Sequence, residues 1–359
     1  MRTPNLAAIA FASLLVSGPA HATARTVMDG VVDGARAKGF SGVVLAGDAD
    51  GLDYQRLVTG AAGPARLDDL WRWASVTKQL TAVLVMQEVE KGTLVLDRPI
   101  TAYLPEFTGP TGNAVTIRQL LQHNSGLPNP DEAPDFYLTD VAASADRTAA
   151  LGWCAGSPKA QPGAGFAYNN CDYLLLGAIL EGVTARDYAQ LVAERIAGPA
   201  GATSLKPFPA KRSDAPRTIG GDTTPGQPEP AYNFATFGAA GGLYGTPRDM
   251  LRVDIALMSG VYLTKLSLQT MWTGDPQLGF AALGAWSFPA ALEGCNAEVA
   301  LVERRGQIGG VQVRNILAPA LGKALVVFAN SPTVEFGEIW QSAGLSYDLA
   351  NAAFCTAAG

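Results

Sequence analysis

The sequence predicts an α/β chain of the α+β type, with one antiparallel sheet built from both chain ends, flanking helices and a mostly helical second lobe. Short β-rich runs cluster at the two ends, at Phe40–Ala46, Tyr54–Thr59, Val299–Glu303, Val311–Ala318 and Lys323–Ala329. The middle of the chain carries helical periodicity and helix caps instead. No internal repeat or low-complexity tract separates the two kinds of sequence, so pairing the terminal strands into one sheet is the economical arrangement. Residues 23–359 then form one domain, its sheet lobe drawn from 23–75 and 280–359 and its helical lobe from 76–279.

Taken in order, the first 22 residues read as a signal peptide. Arg2 supplies the positive start, Leu6–Val16 is an apolar run too short to span a bilayer, and Ala20-His21-Ala22 has the small-x-small form of a cleavage site. With no later apolar run of spanning length, a periplasmic or secreted protein without stable membrane insertion is expected. In that setting the four cysteines, Cys154, Cys171, Cys295 and Cys355, have two disulfides open to them, in three pairings. The shorter loop favours Cys154 with Cys171, leaving Cys295 for Cys355; buried free thiols are the alternative. The spacing of Cys and His suggests no metal site, and no cofactor is implied.

After the first two strands, which turn at Asp48-Ala49-Asp50-Gly51, Trp71-Arg72-Trp73 leads into a helix predicted to run to about Leu94. Leu80, Val83, Leu84 and Met86 give it an apolar face, opposite Gln79, Gln87, Glu90 and Lys91, and Gly92 suits its C-terminus. Ser75 and Lys78 stand three residues apart in its first turn, on one face. Thr116 caps a short helix, Ile117–His123. Further helices are expected near Val141–Gly152, at Tyr173–Gly182 and Tyr188–Ala197, from Thr246 to about Met258, and within Glu338–Phe354. Lys211–Asn233 is the most irregular stretch, rich in Pro, Gly, Asp and Thr.

Composition excludes several classes of function. A net charge of −6 leaves no basic surface for a nucleic-acid backbone, and no run of Lys or Arg points to an anionic membrane. Of two histidines, His21 falls within the signal, so His123 alone is left for a Ser-His-Asp triad; there is also no Gly-x-Ser-x-Gly elbow. A serine hydrolase built on this chain would therefore use a base other than histidine. Lys78 is the nearest candidate, because a lysine desolvated beside apolar residues loses its proton more readily. On its own, Ser75-x-x-Lys78 is equally an N-cap serine beside a solvated lysine. Tyr168-Asn169-Asn170 and Gly306-Gln307-Ile308-Gly309-Gly310 are likewise, singly, an aromatic core residue and a flexible turn.

Read together and in this order, the three motifs resemble those of the penicillin-recognising serine hydrolases, in the branch that contains class C β-lactamases, D-stereospecific peptidases and esterases. Leu120-Leu121-Gln122-His123-Asn124-Ser125-Gly126-Leu127-Pro128 and the stretch Gly238–Met250 resemble further family signatures, as does Glu194-Arg195-Ile196 with Pro199 and Gly201. The resemblance implies a β-lactamase/transpeptidase-like fold, with Ser75 as the acylated nucleophile and Lys78 and Tyr168 as the proton-transfer pair. It further implies that Asn170 positions Lys78 and substrate, that His123 is structural, and that the N–H groups of Ser75 and Gly310 form an oxyanion hole at a strand edge bearing Gly309. Its third motif usually opens with Lys or His, where this chain has Gln307; Arg304, Arg305 and Arg314 are the nearby cations. That difference favours a small ester, amide or peptide substrate over efficient β-lactam hydrolysis. A class C-like β-lactamase or D,D-carboxypeptidase is the alternative, and a non-catalytic binder of wall peptides or penicillin the alternative of another class.

Overall fold

The computed structural model describes residues 19–60, 66–138 and 147–355. Arg2 and the apolar run Leu6–Val16 lie outside them, as do residues 141–146 of the helix expected near 141–152. The first described helix, α1 (Pro19–Ala37), begins just before the expected cleavage site. It leads into the hairpin of β1 (Gly42–Asp48) and β2 (Gly51–Val58), whose turn is the Asp-Ala-Asp-Gly stretch singled out from sequence.

The segment that follows departs from one continuous amphipathic helix. Trp71–Arg72 is a short strand, β3, and Ala74–Val76 forms a single 3₁₀ turn before α2 (Thr77–Glu90). Moreover, α2 has no solvent face over most of its length: Thr77 through Met86 are all buried, Lys78 and Gln79 completely. A helix surrounded on every side must find partners for its polar groups inside the protein, and this requirement organises the molecule. At its end, Gly92 has φ +75°, as expected for the residue that stops it.

The helical lobe packs around α2. It includes α3 (Ile117–Leu121), held by a reciprocal Thr116–Gln119 capping box, α4 (Arg147–Cys154) and α5 (Asn170–Thr184). Tyr188–Ala197 is α-helical to Val192 and then widens into a π turn. Two small strands, β4 (Lys206–Pro207) and β7 (Leu243–Gly245), join β3 in a three-stranded sheet. Between them, the stretch 211–233 contains a hairpin of β5 (Asp222–Thr224) and β6 (Gln227–Pro228) and is tied to the body by the Arg72–Glu229 ion pair at 2.8 Å. Thr246 caps the buried helix Pro247–Met258.

Four strands complete the large sheet: β8 (Trp286–Ala290), β9 (Val299–Ile308), β10 (Val311–Ala318) and β11 (Lys323–Ala329). Its order is β2-β1-β11-β10-β9-β8, antiparallel throughout, with the first strand of the chain paired to the last. Both faces are covered, so buried residues alternate between two cores. Val43, Leu45, Val326 and Phe328 face the helical lobe. Val44, Ala46, Leu325 and Val327 face α1 and the terminal helix Leu345–Phe354. Disulfides join Cys154 to Cys171 and Cys295 to Cys355, the pairing favoured from loop length. The first ties α4 to α5; the second anchors the end of the terminal helix beside the sheet.

Candidate active site

Ser75 lies in the 3₁₀ turn ahead of α2, and the residue before it, Ala74, has φ +47°. A non-glycine residue in the left-handed region is strained, and here the strain holds the turn that presents the serine hydroxyl. Its Oγ is 2.5 Å from the Tyr168 hydroxyl and 3.2 Å from Lys78 Nζ. Tyr168 stands just before α5, whose first residue is Asn170; Asn169, between them, caps α5 by accepting the Cys171 N–H. Helix starts thus place all three side chains at one point.

Lys78 is wholly buried. Its Nζ donates to Asn170 Oδ1 and to the Ala240 carbonyl, both at 2.6 Å. These two partners only accept, so they consume the two N–H bonds of a neutral amine and leave its lone pair for the Ser75 hydroxyl. Burial, above all, and then the positive charge of Arg304 push the Lys78 ammonium well below its ordinary pKa. Asn170 is oriented from its other end, where Nδ2 donates to Asp131 Oδ1 and the Tyr137 hydroxyl, each at 2.9 Å.

The third motif lies in a different register from the one expected. β8 pairs with β9 only as far as Glu303, so from Arg304 onward the edge of β9 is free to face the Ser75 turn. Arg304, not Gln307, brings its side chain to the serine. Its Nε donates to the Ser75 carbonyl at 2.9 Å and its Nη2 to the Tyr168 hydroxyl at 3.2 Å. It is buried between Trp286 and the Tyr168 ring and has no ion-pair partner among the described residues. Gly306 allows the close approach: a Cβ there would lie 2.8 Å from the Trp73 carbonyl and 3.1 Å from the Ser75 nitrogen.

Gly309 and Gly310 form the two-residue turn between β9 and β10, away from the serine. The Gly310 N–H donates to Glu229 Oε2 at 3.3 Å, and a Cβ on Gly309 would strike the same carboxylate. The residue beside Gly306 on the free edge of β9 that lines the same cavity as Ser75 is Gln307. Ile308 and Val311 close the hairpin as its hydrogen-bonded pair, so by alternation the Gln307 N–H points outward to the free edge. Its side chain is exposed. The five-residue motif was found in the sequence, but its spacing to the turn was not legible without the register.

Burial raises the Tyr168 phenol, while Arg304 and the Ser75 hydrogen bond oppose the rise; the group remains protonated. Behind its ring, 4.5 Å away, His123 packs with its Nδ1 accepting the Asn169 N–H and lying 3.1 Å from Asp172 Oδ2. Burial raises the Asp172 carboxyl well above its ordinary range, while the Ser125 hydroxyl and the Lys78 charge oppose the rise. Burial pushes the His123 imidazole well below its ordinary pKa, and it packs behind the Tyr168 ring as the structural residue that the resemblance implies. Asp172 and Asp131 had no signal in the sequence.

Together these groups border a cavity of about 280 Å³ lined by Ser75, Asp131, Tyr168, Asn170, Phe237 and Trp286 on one side and Arg305 to Ile308 with Arg314 on the other. Two larger cavities, of about 710 and 830 Å³, lie elsewhere and contain none of the three motif side chains. Among the described residues there is no cluster of His, Cys, Asp or Glu suited to a metal, and no helix long and apolar enough to cross a membrane. A serine hydroxyl, a desolvated amine and a strand-edge N–H near one point are the groups that acyl transfer requires.

Known proteins resemble this chain in sequence and in fold. A family model described as Beta-lactamase matches residues 28–344. The putative penicillin-binding protein PbpX of Bacillus subtilis is 28% identical over 242 residues, 62% of this chain and 56% of that protein. Esterase EstB of Burkholderia gladioli is 34% identical over 161 residues, 39% of each. The match therefore spans about half the length of these relatives or less. A D-stereospecific amidohydrolase from Streptomyces sp. superimposes with a TM-score of 0.73 and 26% identity, over 93% of this chain and 99% of that one.

Proposed function

This chain belongs to the beta-lactamase family of serine hydrolases, and from that premise we propose that it is an exported enzyme that cleaves ester or amide bonds through an acyl-enzyme on Ser75. The single observation that carries the reading is the hydrogen-bond inventory of Lys78. Its two N–H bonds are spoken for, and its remaining position faces the Ser75 hydroxyl.

In the proposed sequence, Lys78 takes the Ser75 proton as Oγ attacks the substrate carbonyl. Charge develops on the carbonyl oxygen, where the N–H groups of Ser75 and Gln307 receive it. Gln307 replaces Gly310 in that role because the Gly310 N–H is turned to Glu229. Tyr168, within reach of both Ser75 Oγ and Arg304, passes the proton to the leaving group, and Arg304 offsets the negative charge that builds on the phenol meanwhile. Water then enters, gives its proton back along the same path and releases the acid.

Arg304 also answers the question raised by Gln307. A cation does stand at the third motif, but it is buried and engaged with Ser75 and Tyr168. It is therefore not offered to a substrate carboxylate as an exposed charge would be. This favours esters and amides over efficient β-lactam turnover. The signal peptide, cleaved near Ala22, and two disulfides in one chain support export. Hydrolysis of p-nitrophenyl acetate should fall by about 10⁴-fold or more in Ser75→Ala. Retention of activity in that variant would remove Ser75 as the nucleophile, and turnover of a chromogenic cephalosporin at the ester's rate would favour the β-lactamase reading.

A further inference from the structure

Asp131 is a carboxylate in the cavity that the acyl-transfer steps do not use. It sits on the single turn Pro130–Glu132, whose start is fixed by Asn129 accepting the Asp131 N–H. Its Oδ1 is clamped by two donors, the Tyr137 hydroxyl at 2.6 Å and Asn170 Nδ2 at 2.9 Å. Tyr137 is itself stacked flat on Phe237, with ring centroids 4.1 Å apart, so the clamp is rigid. No cation among the described residues lies within ion-pair distance of Asp131. The other charged groups in the cavity lining are already answered: Arg305 is held by Glu303 and Glu338, and the same two carboxylates face Arg314.

A rigidly held, exposed carboxylate with no counter-charge among the described residues, in the cavity that contains the Ser75 hydroxyl, selects for positive charge on whatever enters. We propose that Asp131 binds the ammonium group of the substrate, so that the preferred substrates are aminoacyl esters and amides with a free amine. The inference rests on the acyl-enzyme reading above. Asp131 hydrogen-bonds to Asn170, which in turn holds Lys78, so the ammonium is placed within a few bonds of the reacting carbonyl. The covalent chemistry is unchanged: the acyl carbon bonds to Ser75 Oγ, the bond to the leaving amine or alcohol breaks, and that group departs with the serine's proton. A role confined to orienting Asn170 predicts no preference for charged over uncharged acyl groups.

The test compares alanine p-nitroanilide, in each enantiomer, with its N-acetyl counterpart, in the wild type and in Asp131→Asn. Asparagine keeps an acceptor oxygen for Tyr137 and Asn170 and removes only the charge. In the wild type, kcat/KM should favour the free amine of at least one enantiomer by about tenfold or more, the worth of one charge-assisted hydrogen bond. That ratio should shrink at high ionic strength and above pH of about 8, where an α-amine loses its proton. In Asp131→Asn it should fall towards one, mostly through KM. A wild-type ratio at or below one for both enantiomers overturns the proposal, as does a ratio unchanged in the variant or an equal loss on both substrates. Should neither anilide be cleaved, the proposal fails; labelling of Ser75 by a reactive phosphonate then shows whether the hydrolase reading survives it.

Discussion

Two neighbouring residues of α2, Lys78 and Gln79, enter two buried polar clusters on different sides of the helix. Around Lys78 every donor has an acceptor, and the cluster opens on the cavity through Ser75 and Tyr168. Around Gln79 the cluster is closed. Gln79 Nε2 and Asn315 Nδ2 both donate to Asp254 Oδ1, at 3.2 and 2.9 Å, while Asp254 Oδ2, Gln79 Oε1 and Asn315 Oδ1 have no partner among the described residues. Both clusters perturb a titrating group, Lys78 downward and Asp254 up to about 7, and both do so mainly by burial. The difference teaches that a displaced pKa is not enough to mark a site. What separates the clusters is access: one meets the Ser75 hydroxyl at a cavity, and the other joins α2 to the helix Pro247–Met258 and to β10.

The comparison breaks most visibly at Lys78. Replacement by Met preserves the packing volume and removes the proposed base, and ester hydrolysis should fall by about 10³-fold or more with the fold retained by circular dichroism. A smaller loss, about 10²-fold, is expected for Arg304→Gln. The charge of Arg304 lowers the pKa of both Lys78 and Tyr168. Its removal should therefore also move the acid limb of the kcat/KM profile to higher pH. An acid limb that stays in place would mean that Arg304 acts only as a brace for the turn.

The smallest effect on activity is expected from Asp254→Asn, less than about twofold, with the change appearing in stability instead. The folded-state pKa of Asp254 is about 7, against 3.8 for the free group. The folded protein thus holds a proton that the unfolded chain has lost over that interval. Stability from this group is fully present below about pH 4, declines as pH rises towards 7 and is flat above it. The size of the decline is on the order of a few kcal/mol. Asparagine does not titrate and gives the two unpaired amide oxygens a permanent donor. Urea denaturation at pH 5 and pH 8 should show a smaller difference between the two pH values in the variant than in the wild type.

The sequence reported local features faithfully and non-local ones unevenly. Thr116, Thr246 and Gly92 act as the caps and stop they resemble, because those signals depend on residues a few positions apart. β10 and β11 occupy the predicted residues, since Gly310 and Pro319 bound the first and Gly322 precedes the second. The amphipathic pattern of α2 predicts a half-exposed helix, but Gln79 Nε2 donates to Asp254 and Glu88 pairs with Lys91 and Arg195, partners that lie far away or past the helix end. The third motif was found yet shifted, since which of Arg304 and Gln307 faces Ser75 depends on where β8 stops, and nothing within the motif records that. Asp131 is reached through Tyr137 and Asn170, contacts that leave no spacing to read.

The pairing of β1 with β11 also dictates when this protein is able to fold during its synthesis. The hairpin of β1 and β2 is made early, but one edge of β1 has its partner, Lys323–Ala329, some three hundred residues later. Until that stretch has emerged, the nascent chain exposes an open strand edge and an uncovered apolar face. High contact order of this kind makes folding slow and dependent on the whole chain. A ribosome that stalls between Ala329 and Leu345 releases a product with all its strands but without its terminal helix or Cys355, open to aggregation at the sheet face that helix covers.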